Sequence, residues 1–366
     1  GGVQGAASDI SIQAREIFDS RGSPTIETSV TLDDGSIGRS SVPSGASTGT
    51  YEAVELRDND KNRFDGKGVR RAVDNVNTLI SKTIIGMDSL NQSGIDRAMI
   101  ELDGTSNKGK LGANSILSVS QAVVKASAKS QKMPPSSCLR QFSRVEKKTM
   151  PVPLFNLIEG GKHANNFLDF QEFLLIPAST KSYAESLEIG VQVYQTLKKL
   201  IIDRALSPLV ADEGGFSPEI GNNRAALTFL KEAIEASGVV FSLDVFMGLD
   251  VAANTFLEGK LYRLIDKPNP YSAQDLSNFY QELFSEYSLI YIEDPYAEND
   301  TDGWKKMYET LGDKTLIVGD DLTTTNIKRI KEAESKKAAN GIIIKLNQIG
   351  TVSETIEAVN LAKSYG

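Results

Sequence analysis

The chain has 366 residues, 40% of them hydrophobic and 24% charged, with a net charge of -8, which suits a globular protein of two domains or a barrel with an addition. Its apolar runs, such as Gly341 to Ile344 and Phe173 to Ile176, fall far short of the roughly 20 residues that cross a bilayer, so no membrane span is expected. The acidic balance opposes nucleic-acid binding, because a phosphate backbone meets a mostly repulsive field, and any anionic substrate needs a local cation.

In chain order, Gly1 to Asp9 is small and polar, lacks the basic-then-apolar order of a secretory signal, and reads as a trimmed tail. Asp9 to Glu16 and Thr25 to Leu32 are rich in β-formers, with a turn at Asp33-Asp34-Gly35, which predicts a hairpin or small sheet. Ala113, Ile116, Leu117, Ser120 and Val124 then recur at helical spacing behind Asn114, so the first part is α+β. Lys132 to Lys148, with Pro134 and Pro135, has no clean period and reads as a join. The boundaries that follow are an α+β domain over 1–135, a linker over 136–149 and a second domain over 150–366.

Beyond Met150, short apolar strands alternate with amphipathic helices, which favours parallel βα units. Strands are predicted at Leu154 to Leu157, Phe173 to Ile176, Val245 to Leu249, Leu289 to Ile292, Leu316 to Val318 and Gly341 to Ile344. One helix follows Ser272, with Asp275 behind it as a capping pair; another carries Ala226, Phe229, Leu230 and Ala233 and stops at Gly238. Six strands are two fewer than a closed (β/α) barrel takes.

Several of these strands run into acidic residues: Val245 to Leu249 into Asp250, Leu289 to Ile292 into Glu293 and Asp294, and Leu316 to Val318 into Asp320 and Asp321. Gly341 to Ile344 runs into Lys345. In a parallel barrel the C-terminal strand ends meet at one rim, where three hard oxygen ligands make a site for Mg²⁺. Each acidic residue is equally readable as a turn former or helix cap, and Lys345 as a solvated strand end. Asp212-Glu213-Gly214-Gly215 adds acidic residues on a glycine-rich turn and Gln171-Glu172 adds another next to a strand, each by itself readable as structural. Two glutamates brought close in a shielded pocket would not both ionise easily, and the one with the raised pKa could donate a proton near neutral pH.

The single cysteine, Cys138, has no disulfide partner, which suits a reducing cytosolic setting, and the lone histidine, His163, excludes multi-histidine metal centres. Ser44-Gly45-Ala46-Ser47-Thr48-Gly49 is a small-residue loop without the Gly-Lys-Ser/Thr ending of a P-loop. It reads as a mobile surface loop, and Gly160-Gly161-Lys162-His163 reads as flexible with an exposed histidine.

Taken together, the chain from Ala14 onward resembles enolase. The most specific stretches are Asp19-Ser20-Arg21-Gly22-Ser23-Pro24-Thr25, Val42 to Gly49, Glu101 to Thr105, Gly109 to Asn114, Asp212 to Phe216, Val318 to Leu322 and Lys345 to Gly350. The resemblance implies an N-terminal α+β capping domain on an enolase-type (β/α), or TIM, barrel whose first two strands are joined directly, usually in a homodimer. It implies dehydration of 2-phosphoglycerate to phosphoenolpyruvate in glycolysis and gluconeogenesis, in the cytoplasm, by a carbon–oxygen lyase. Two Mg²⁺ ions are implied per site, with Asp250, Glu293 and Asp320 as ligands of the first and the Ser47 loop completing the second. Lys345 would be the base and Glu213 the acid. His163, Glu172, Glu293, Asp320 and Lys345 would line the substrate.

Two departures bear on this reading. The family usually has Asn where this chain has Glu159, an added negative charge expected to weaken binding of an anionic phosphate. Enolases also continue past the position of Gly366 into two more barrel strands with further substrate contacts, so the expected barrel stops short of its last two strands. An inactive fragment, or a non-catalytic enolase-shaped scaffold or surface-binding protein, is therefore the alternative.

Overall fold

The computed structural model describes residues 8–45 and 48–366. The first elements are β1 (Asp9–Phe18), β2 (Pro24–Leu32), β3 (Ile37–Ser41), α1 (Arg70–Asn75), α2 (Ser81–Ile84), α3 (Gln92–Asp103), α4 (Ala113–Ser130) and α5 (Pro135–Phe142). There follow β4 (Phe155–Glu159), β5 (Glu172–Pro177), α6 (Tyr183–Asp203), α7 (Asn223–Ala236), β6 (Val245–Asp250), β7 (Leu257–Glu258), β8 (Leu261–Tyr262) and α8 (Ala273–Tyr287). The last are β9 (Leu289–Glu293), α9 (Thr301–Leu311), β10 (Leu316–Gly319), α10 (Ile327–Ser335), β11 (Gly341–Ile342), α11 (Leu346–Ile349) and α12 (Val352–Ser364). Packing divides the chain into two units. One takes in the chain as far as Glu146 with Thr323–Lys331 and Ile343–Gly366, and the other is Lys147–Leu322 with Glu332–Ile342.

In the first unit, β1, β2 and β3 form an antiparallel sheet in that order. Alternation along β2 turns Ile26, Val30 and Leu32 into a core shared with Ile116, Leu117 and Val123 of α4, all fully buried. Each such side chain contributes roughly 1.5 to 3 kcal/mol. Gly38 on β3 lets α4 sit against the sheet, since a Cβ there would lie 2.2 Å from the Ala122 carbonyl oxygen. Strand β3 was not anticipated, because its glycine and serines give little β signal. Helix α5 lies inside the stretch read as a join: proline at the first helical position starts a helix rather than breaking it. The C-terminal α12 is tied to this unit by Lys108–Glu354, at 2.9 Å, and by the Ser353 N–H donated to Asp96.

The second unit holds a six-stranded sheet in the order β11-β10-β9-β6-β5-β4. Strands β6, β9, β10 and β11 are parallel, as alternation with helices predicts, but β5 is antiparallel to both neighbours. A parallel βα reading therefore fails for the first pair, which is joined without a crossover helix, and hydrophobic patterning does not encode strand direction. Capping boxes start α6 at Ser182 with Glu185 and α8 at Ser272 with Asp275. Asn222 caps α7, which ends just before Gly238 at φ +83. Phe170, Phe173, Met247, Leu249, Ile292 and Trp304 fill the core of this unit.

Candidate active site

One lateral row of the sheet carries acid after acid. Glu159 of β4 pairs with Glu172 of β5, Glu172 with Asp250 of β6, and Asp250 with Glu293 of β9; Glu293 then pairs with Val318 of β10. Directly opposed residues share a face, with Cβ atoms about 5 Å apart, so four carboxylates project together at one sheet edge. Strands β4, β6 and β9 reach that edge with their last residue. Because β5 runs the other way, it supplies its first. Glu159 is fully buried, while Asp250 and Glu293 are 5% and 8% exposed.

Such crowding is electrostatically expensive. Burial, then the charges of Glu293 and Glu172 and of Asp294 and Asp320, push the Asp250 carboxyl well above its usual range. Burial, followed by Glu293 and Glu213, pushes Glu172 up to about 8, and Glu172 also hydrogen-bonds Glu213. The structure thus brings together the two glutamates whose proximity would raise one pKa. Tyr291, two residues back on β9, donates its hydroxyl to Glu293 Oε1 at 2.6 Å.

Asp320 follows β10 and is only partly buried. Asp294, in a left-handed backbone conformation at φ +44, is buried and accepts the N–H groups of Asp320 and Asp321, both at 2.9 Å. Oxygens of Asp294, Asp320 and Asp321 all lie within 4.8 Å of one another and could hold a metal ion. This grouping shares Asp320 with the expected set of Asp250, Glu293 and Asp320. Asp294 was visible only as one acid in a pair after a strand; its burial and its double capping role needed coordinates.

Glu213 stands on the turn 212–215, where Gly214 takes φ +90. His163 ends a single helical turn, Gly161–His163, with Nδ1 3.9 Å from Glu213 Oε1. Its side chain is only 6% exposed, so the histidine read from sequence as exposed is half-buried with its ring covered. His163 Nε2 has no hydrogen-bond partner among the described residues. Lys345 belongs to the other unit: it is exposed, precedes α11, and donates its backbone N–H to Thr325 Oγ1 at 3.0 Å. Ser47 lies outside the described residues.

A sheet edge of converging carboxylates, with an acid-bearing turn beside it, defines an oxygen-rich site of the kind that a barrel-edge enzyme uses for a hard cation. Residues 10–139 match the family model "Enolase, N-terminal domain" and residues 147–366 match "Enolase, C-terminal TIM barrel domain". The chain belongs to the enolase family, a family of lyase-type enzymes. No helix among the described residues is long and apolar enough to cross a membrane.

Proposed function

We propose that this chain catalyses the Mg²⁺-dependent dehydration of 2-phosphoglycerate to phosphoenolpyruvate, as a cytoplasmic homodimer acting in glycolysis and gluconeogenesis. The observation that carries the reading is the row Glu172, Asp250 and Glu293 in register across three strands, with Asp320 beyond the fourth. These are hard oxygen donors whose mutual repulsion a divalent cation would relieve, so the donor set fits Mg²⁺. Asp250, Glu293 and Asp320 would hold one ion and the Ser47 loop would complete a second site. Bound there, the two ions would supply the positive field that makes a C–H next to a carboxylate acidic enough to remove.

The chain's own groups then divide the work. The Lys345 amine takes the proton from C2, next to the substrate carboxylate. The Glu213 carboxyl gives a proton to the C3 hydroxyl, which leaves as water, since hydroxide alone is a poor leaving group. Burial and the charges of Glu293 and Glu213 push Glu172 up to about 8, and Glu172 hydrogen-bonds Glu213, so Glu172 can hold a proton beside Glu213 at neutral pH. His163 Nε2, without a hydrogen-bond partner among the described residues, is a group that a phosphate or carboxylate oxygen of the substrate would satisfy.

Variants separate these roles. In D₂O, Glu213→Gln should still exchange the C2 hydrogen of 2-phosphoglycerate while forming little phosphoenolpyruvate, and Lys345→Ala should lose both. Exchange that survives in Lys345→Ala would reject Lys345 as the base.

A further inference from the structure

Glu159 is the one carboxylate of the acidic row that the proposed chemistry leaves without a task, yet it is wholly inside the protein. An acid is buried only when hydrogen bonds hold it. Its Oε1 accepts the Gly215 N–H at 2.8 Å and the Asn156 side-chain amide at 2.9 Å, and its Oε2 accepts the Glu213 N–H at 3.4 Å. Both backbone donors lie on the turn that presents Glu213. With Gly214 at φ +90 between them, their N–H groups can converge on one anion.

The clamp is itself anchored. The Glu159 N–H donates to the Phe216 carbonyl at 2.9 Å, Phe216 returns a bond to Leu157 at 2.9 Å, and Asn166 donates to the Glu159 carbonyl at 2.8 Å. Gly215 meets the clamp so closely that an added Cβ would lie 2.9 Å from Glu159 Cγ. The strand end, the carboxylate and the turn are therefore one fitted unit.

We propose that Glu159 is a positioning residue: its carboxylate, bridging the N–H groups of Glu213 and Gly215, fixes the turn that presents the Glu213 side chain for proton donation. The catalytic half of this statement rests on the reading of Glu213 as the acid; the clamp itself does not. The carboxylate points at backbone donors, so its charge is spent on the turn rather than on an incoming anion.

Two measurements on the full chain test the two halves separately. Amide hydrogen exchange across 211–216 should speed up by about tenfold or more in Glu159→Ala, with β5 and β6 unchanged. Glu159→Gln, which keeps the volume and one acceptor, should fall between Ala and wild type. Steady-state kinetics with 2-phosphoglycerate should show kcat lowered by up to about 100-fold in Glu159→Ala, with KM nearly constant and partial rescue in Glu159→Gln. Unchanged exchange in Glu159→Ala would overturn the clamp. Faster exchange with wild-type kcat would overturn the positioning role. A wild-type chain with no turnover would remove the role of Glu213, and the positioning role with it, while the exchange result would still decide the clamp.

Discussion

Glu172 and Asp250 are direct partners across the antiparallel β5–β6 pair, and both carboxyls sit above their ordinary pKa: burial and the charges of Glu293 and Glu172 raise Asp250, while burial and those of Glu293 and Glu213 raise Glu172. Two acids placed opposite each other at a sheet edge weaken the fold unless something compensates. Under the proposed function, a bound cation would supply that compensation.

Magnesium should therefore stabilise the protein. At a free concentration of 100 times the dissociation constant, the gain is about 2.7 kcal/mol. Asp250→Asn should lose most of that gain while being no less stable than wild type in excess chelator. Differential scanning fluorimetry with and without MgCl₂ measures both; an equal Mg²⁺ response in Asp250→Asn would contradict the ligand set.

Glu16 gives a pH dependence of known sign. Arg63 holds it in a two-point bond, with Nη1 at 3.0 Å from Oε2, and the Val69 N–H adds a third contact at 2.8 Å. The Arg63 hydrogen bond and charge keep its carboxyl below the usual range. The folded state therefore holds fewer protons than the unfolded one. The stabilisation is present above the unfolded value of 4.5 and lost as pH falls through the lower folded value. Glu16→Gln should cost about 1 kcal/mol at pH 7 and nothing at pH values below the folded one, as urea unfolding across pH would show.

The Lys108 ammonium lies 2.9 Å from Glu354 in the first turn of α12, and Lys108 is 5% exposed. Removing one partner leaves the other without its counter-charge. Lys108→Met should lose roughly 3 kcal/mol, and adding Glu354→Gln should recover part of it. A double-mutant cycle with zero coupling would show that the pair contributes nothing.

Gly38 has no room for a side chain: an added Cβ would lie 2.3 Å from the Ala126 nitrogen and 2.2 Å from the Ala122 oxygen, both backbone atoms of α4. Helix and sheet must separate to admit one. Gly38→Ala should cost about 3 kcal/mol, read as a lower urea midpoint at unchanged slope.

The sequence made the strand cores easy to find, since Val245 to Leu249 and Leu289 to Ile292 are short apolar runs, and both lie within observed strands. The acids that end them were legible for the same reason. Patterning alone did not give the direction of β5; the directly joined first strands that the resemblance implied did, and the reversal brings Glu172 to the row from the start of a strand rather than its end. Nor could the fate of Glu159 be read: composition marks it as an extra negative charge, and only the folded turn shows backbone donors waiting for it. His163 looked exposed because glycine flanks it, whereas tertiary packing covers its ring. The partners of α12 lie 246 residues away in the case of Lys108, a separation that no local pattern encodes.

The most direct test is the appearance of phosphoenolpyruvate absorbance when the chain is mixed with 2-phosphoglycerate and MgCl₂. The account predicts steady turnover that stops on chelation and falls by at least about 100-fold in Glu213→Gln. No phosphoenolpyruvate from wild-type protein with Mg²⁺ bound, or undiminished turnover in Glu213→Gln, would contradict it.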